Sequence, residues 1–323
     1  MTLLVTGSAG HLGEALMRTL RAAGEAARGL DRVASPFTTH VGSIGDPAFV
    51  AEAMRGVRAV IHAATLHKPH VATHSRQDFV DTNVTGTLAL LEAALSAGVE
   101  AFVYTSTTSA FGSALTPGPG APAAWITEAV TPIPRNIYGV TKVSAESLCE
   151  LFHRDQGLPV IVLRTSRFFP EADDNAAVAV AYALANVQAN ELLYRRVDIE
   201  DVVSAHRLAV ARAPEIGFGR YIVSATTPFG WEEQAELRAD APAVLRRIFP
   251  EFETIYAAKG WRMFPSLDRI YVNAAARRDL GWRPKHDFAR TLDCLAKGED
   301  FRSELARAVG SKGYHAAAPA PPQ

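Results

Sequence analysis

T-G-S-A-G-H-L-G, residues 6–13, is the stretch on which the fold turns. It follows an apolar run, Leu3–Thr6, and opens an amphipathic one, Gly13–Ala23. Gly7 allows a tight turn, Gly10 lets backbone approach a pyrophosphate, and Gly13 lets helix and strand pack closely. The helix N-terminus, with His11 and Leu12 in it, then presents unpaired N–H groups to the phosphates. Strand, spaced glycines and helix in this order predict a dinucleotide-binding βαβ unit. Asp31 ends the next strand pattern, Ala27–Asp31, where a carboxylate can bond both hydroxyls of an adenosine ribose. It repels a 2′-phosphate and so favours NAD, while Arg32 beside it leaves NADP open.

Outward from this unit, β-branched runs alternate with amphipathic ones up to about residue 165. Further strands are predicted at Ala59–Ala63, Ala101–Thr105 and Pro159–Arg164. Helices are predicted at Pro47–Met54, Asp78–Ala97 and Tyr138–Gln156. The pattern indicates an α/β fold, a Rossmann-type doubly wound parallel sheet over residues 1–165. Residues 166–194 and 214–310 lose the alternation and predict a smaller, irregular α/β substrate lobe. V-D-I-E-D-V-V-S-A-H (197–206) reads as a strand feeding a helix capped by Asp201, returning the chain to the first domain around 195–213. Trp231, Trp261 and Trp282 are expected to pack the small lobe. The proline-rich stretch 113–135 predicts a long irregular loop, and 311–323 a frayed tail.

The chain has 323 residues, 48% hydrophobic and 21% charged, with a formal net charge of −1. No basic run marks a nucleic-acid partner. No apolar run approaches the roughly 18 residues of a membrane span, and the chain enters a strand at once, without a signal-peptide pattern. Cys149 and Cys294 are the only cysteines and supply neither a disulfide framework nor a zinc site. These features predict a cytoplasmic protein acting on a small molecule, with no nucleic-acid or membrane partner.

A second stretch, N-I-Y-G-V-T-K (136–142), places a tyrosine one helical turn before a lysine. Alone it is compatible with an ordinary helix opening. With the glycine loop come H-A-A-T (62–65), N-V-T-G-T (83–87), T-S-T-T-S-A-F-G (105–112), Y-G-V-T-K (138–142) and L-G-W-R-P (280–284), in order over nearly the whole chain. Together they resemble the extended short-chain dehydrogenase/reductase family, the NAD-dependent epimerase/dehydratase group. The resemblance makes Tyr138 the acid/base, Lys142 its partner and a holder of the nicotinamide ribose, and Thr107 the hydroxyl that holds the reacting oxygen. A free phenol titrates near about 10, and an adjacent ammonium brings it towards working range. The resemblance also puts Ala63, Ala64 and Thr65 along the cofactor, Asn83 beside it, and Ser43 and Ile44 where adenine is met. Asn83 reads equally well as a helix-entry residue. A homodimer through the helices at 78–97 and 138–156 is implied.

The chain departs from the family in three places. Thr108 and Ser109 follow Thr107 where sugar 4,6-dehydratases carry Asp and Glu, and unperturbed hydroxyls cannot replace that acid/base pair. Arg167, in R-T-S-R-F-F-P-E (164–171), replaces the Asn of nucleotide-sugar members, and the acidic run E-A-D-D (171–174) follows. This stretch is closer to the family's uronate and sugar dehydrogenases. Gly42–Ser43 replaces Gly-Asp after the third strand. L-H-K-P-H-V-A-T-H-S-R (66–76) brings His67, Lys68, His70 and His74 to the substrate mouth, as contacts or as a solvated loop. Pro69 interrupts their spacing and no acid or thiol joins them, so no metal is expected. Ser106 is a further candidate contact. The reading is an NAD-dependent oxidoreductase of a secondary alcohol or ketone on a sugar, uronate or related polyol. The alternatives are a nucleotide-sugar 4-epimerase with tightly bound NAD and a non-catalytic NAD(P) sensor.

Overall fold

The computed structural model describes residues 2–170 and 176–313, so the acidic run 171–174 and the tail beyond 313 lie outside the described residues. Strands β1 (Thr2–Thr6), β2 (Ala27–Asp31), β3 (His40–Val41), β4 (Val57–His62), β5 (Ala101–Thr107), β7 (Val160–Thr165) and β8 (Phe218–Val223) form a seven-stranded sheet of order β3-β2-β1-β4-β5-β7-β8. Every pairing is parallel. The order reverses between β1 and β4, and a crevice opens there at the strands' carboxyl ends.

Both faces of the sheet are covered, which is why β4, β5 and β7 are nearly continuous apolar runs. Alternate residues divide between the faces. Leu3, Val5, Ile61, Val103 and Ile161 pack under α1 (His11–Ala22) and the long helix Ile199–Ile216. Leu4, Val60, Phe102 and Val162 face α2 (Pro47–Ala53) and the helices Gly86–Ser96 and Ile137–Gln156. A separate core built on Leu193, Phe252, Tyr256 and Phe288 fills the smaller lobe.

Several expectations are corrected. The stretch 113–135 is not wholly irregular: β6 (Ala124–Ile126) pairs in parallel with β9 (Arg269–Tyr271) in a two-stranded sheet. The return to the large sheet extends beyond 213, because β8 is its edge strand. No strand precedes the helix at 199. Its N-cap is Asp198, whose carboxylate accepts from Glu200 N–H (2.8 Å). Asp201 lies inside that helix and accepts from Lys285 and His286 N–H, both 2.9 Å, and burial pushes its carboxyl up. Trp282 belongs to the core of the large sheet, where its indole N–H donates to Ser204 Oγ (2.9 Å). Trp231 is exposed and meets Trp125 edge-on, while Trp261 packs in the small lobe as expected. The helix expected at 78–97 begins at Arg76 and contains a π turn, Asp81–Thr85. Residues 311–313 are not a frayed end; they return to α1.

Candidate active site

The glycine loop forms one end of a cavity of about 450 Å³. Its three glycines have different physical reasons. A Cβ on Gly13 would lie 1.9 Å from Gly7 O, and one on Gly7, at φ +74°, 2.8 Å from Ala64 N. Those two positions are closed by the protein itself. A Cβ on Gly10 would meet only Gly7 O, at 3.3 Å, so the open space there suits a ligand approaching the start of α1. The residues present therefore fit a dinucleotide. Asp31 lines the cavity, its carboxylate accepting from Ala9 N–H (2.9 Å) and Val33 N–H (3.0 Å). Each oxygen keeps acceptor capacity for a ribose hydroxyl. Arg32, Ser43, Ile44, Ala63, Ala64 and Thr65 also line this half.

Asn83 does not line the cavity. Its Oδ1 accepts from Leu66 N–H (2.8 Å) and Thr65 Oγ1–H (2.9 Å), and its Nδ2 donates to Leu66 O and Thr141 Oγ1, both 3.1 Å. All its hydrogen-bonding capacity is spent tying the Thr65–Leu66 wall to the helix that carries Tyr138. Asn83 sits in the π turn Asp81–Thr85, inside the helix and not at its entry, with these contacts on the protein. Beneath the same wall a directed chain runs from Ala64 N–H to Thr6 Oγ1, on to His62 Nδ1, and from His62 Nε2 to Thr87 Oγ1. Burial, reinforced by Lys142, holds His62 down to about 3, so it is neutral.

Thr107, at the end of β5, and Tyr138 and Lys142, on the helix Ile137–Gln156, all line the cavity and are buried. Asn136 caps that helix, accepting from Gly139 N–H (3.0 Å), and fixes where Tyr138 leaves it. Thr107 Oγ1 accepts from Ser109 N–H (3.1 Å), leaving its proton to donate. Lys142 Nζ donates to Thr105 O (2.6 Å) and lies 4.1 Å above the Tyr104 ring. Burial lowers Lys142 to about 7, against the opposing pull of Glu146. Ser106, a candidate substrate contact, lines the cavity and donates to Glu146 Oε1 (2.5 Å). Glu146 is also held by Arg164 (2.6 Å), a buried ion pair behind the site.

Of the three histidines in 66–76, His67 and His70 line the cavity and His74 does not. His70 Nδ1 accepts from His67 N–H (2.8 Å), so that nitrogen is spent on the local turn. The His67 ring lies 6.2 Å from the Tyr138 ring and 5.7 Å from that of Phe169, and burial lowers it to about 3. Among the described residues no group could hold a metal ion. Towards the small lobe the lining carries Lys68, Arg135, Arg167, Arg195 and Arg269; among the described lining residues the single acid is Asp31, in the other half. Arg195 is paired with Glu191 and Arg269 with Asp268, each at 2.6 Å. Arg135, Arg195 and Arg269 escape sequence reasoning because they come from unrelated stretches with no common spacing.

A model of the NAD dependent epimerase/dehydratase family matches residues 3–222. A 3-beta-hydroxysteroid dehydrogenase of Mycolicibacterium neoaurum is 26% identical, covering 98% of this chain and 96% of its own. A UDP-glucose 4-epimerase of Azospirillum brasilense is 26% identical, covering 96% and 94%. A short-chain dehydrogenase/reductase superfamily protein of Agrobacterium tumefaciens, solved with bound NAD, superposes with a TM-score of 0.66 at 24% identity, over 95% of this chain and 99% of its own.

Proposed function

The chain belongs to the NAD-dependent epimerase/dehydratase family, and we propose that it oxidises or reduces a secondary alcohol or ketone on an anionic sugar. The observation that carries this reading is that Thr107, Tyr138 and Lys142 share one cavity with the glycine loop. NAD, when bound, supplies the hydride acceptor or donor. In the oxidative direction Tyr138 takes the proton of the substrate hydroxyl while Thr107 Oγ1–H donates to the same oxygen. Lys142, held by Thr105 O, adds positive charge that favours the phenolate and offers a donor to the nicotinamide ribose. Asp31 selects NAD over NADP. Water elimination is disfavoured because Thr108 and Ser109 supply no carboxyl acid/base pair.

The arginine-rich end supports an anionic substrate, since guanidinium groups bind carboxylates and phosphates in bidentate fashion. A uronate fits it through its carboxylate. A nucleotide-sugar 4-epimerase is the second reading, because the same arginines suit a diphosphate and the Azospirillum relative carries that activity. Uronates, neutral sugars and UDP-sugars, followed by NADH absorbance and product analysis, separate the two. Stoichiometric NADH with a uronate supports the first. An epimerised UDP-sugar without net NADH supports the second. Turnover of neutral sugars alone refutes the anionic substrate.

A homodimer through the helices Gly86–Ser96 and Ile137–Gln156 is consistent with exposed apolar Leu95 and Val140 on them. Sedimentation at a monomer mass overturns it. Cysteines left free and buried suit a reducing cytoplasm, and among the described residues no helix is long and apolar enough to cross a membrane.

A further inference from the structure

Residues 310–313 pass over the start of α1. The helix Glu304–Val309 ends at Gly310, at φ +60°, and the chain turns towards the glycine loop. Lys312 N–H donates to His11 Nε2 (3.0 Å), and Lys312 Nζ pairs with the Glu14 carboxylate. Lys312 and Gly313 both line the cavity beside Gly10 and His11.

Glu14 explains why a cation is useful here. It lies in the first turn of α1, only 4% exposed. A carboxylate there suits the helix dipole but opposes an anion arriving at the same helix end. Water cannot screen it well at that depth. Arg18 offsets it from one side, one turn further along the helix, at 2.8 Å. Lys312 offsets it from the side of the cavity.

We propose that residues 310–313 belong to the dinucleotide site, where they wall the pyrophosphate end and Lys312 cancels the repulsion from Glu14. The proposal rests on the cavity binding NAD. It assigns a cofactor role to a segment some 300 residues from the glycine loop, outside any of its motifs.

Calorimetry on the full chain tests it, with NAD, ADP-ribose and adenosine as probes. Lys312→Ala should weaken NAD and ADP-ribose about tenfold and leave adenosine, which lacks the pyrophosphate, unchanged. Lys312→Arg should keep the parent affinity. Adding Glu14→Gln to Lys312→Ala should restore binding to within about twofold of the parent. Unchanged affinity in Lys312→Ala, an equal loss for adenosine, or no recovery in the double variant overturns the proposal. If the parent itself bound neither NAD nor ADP-ribose, the dinucleotide reading would fall first, and this one with it.

Discussion

The two ends of the cavity are built in opposite ways. The dinucleotide end is built round the backbone and glycines of one continuous unit, β1, the glycine loop and α1, with Asp31 and Arg32 at the end of the next strand, 43–44 and 63–65 as walls, and Lys312 and Gly313 beside Gly10. The end towards the small lobe is made from long cationic side chains: Lys68, Arg135, Arg167, Arg195 and Arg269. Backbone recognition demands absences at set positions, which leaves glycine as the residue available. Side-chain recognition demands only that charged tips converge, and many arrangements along the chain satisfy that. On the function proposed above, the first end is general to a cofactor and the second particular to a substrate.

The comparison can be broken most forcefully at Gly10. Gly10→Val should take NAD binding below detection by calorimetry while the fold survives, because its Cβ would press on Gly7 O alone, at 3.3 Å, which a shift of a few tenths of an ångström relieves. Binding retained by a folded variant would mean the loop is only a structural turn. Between the two ends, Tyr138→Phe should cut turnover by at least about a hundredfold with NAD affinity nearly unchanged. Parental turnover in that variant would remove the phenol from the mechanism.

The cationic end is tested with whichever anionic substrate the screen finds. Arg167→Ala should raise KM for it by about tenfold to a hundredfold, the scale of one charged hydrogen bond, and leave the Kd for NAD within about twofold. A matching loss in NAD affinity would show that the two ends are not separable. Asp31→Ala, at the other end, should shrink the preference for NAD over NADP, expected at about tenfold or more from opposed charges. Equal affinities in the unmodified protein would hand control of that pocket to Arg32.

The smallest effect concerns stability. Lys142 titrates at about 7 in the folded protein against 10.5 in the reference state. Between those values the unfolded chain holds the proton and the native one does not, so this group makes stability rise with pH. Below about 7 the native state bears the full cost of burying the ammonium. Lys142→Met should therefore stabilise the apoprotein by about 1–2 kcal/mol at pH 6. The gain should fade towards pH 10, as urea unfolding would measure. A gain that does not depend on pH would mean that Lys142 keeps its ordinary pKa in the folded state.

What was legible before folding follows the same division. Five of the seven large-sheet strands could be read from apolar runs, because strands buried on both faces have no polar alternative. β3 and β8 could not. β3 is two residues long, and β8 is an edge strand whose first half, Phe218–Arg220, is only partly buried. β6 was hidden because Ala124–Ile126 pairs only with β9, far along the chain. Asn83, Ser106 and Asp201 stand out in the sequence, yet their partners are Thr141, Glu146 and the 285–286 backbone, which no local pattern announces.

The amino-acid sequence by itself determined the βαβ start, the parallel sheet, the family and the candidate Thr107, Tyr138 and Lys142. Each depends on short-range spacing, and short-range geometry is dictated by strand and helix periods. Only the tertiary structure decided that Lys142 is buried against Thr105 and Tyr104, and that His67 faces Tyr138 while the Ser106 hydroxyl donates to Glu146. It also decided that arginines from four separate stretches meet at one end and that Lys312 lies beside Gly10 at the other. Burial and charge convergence depend on which distant segments pack together, and no period along the chain encodes that.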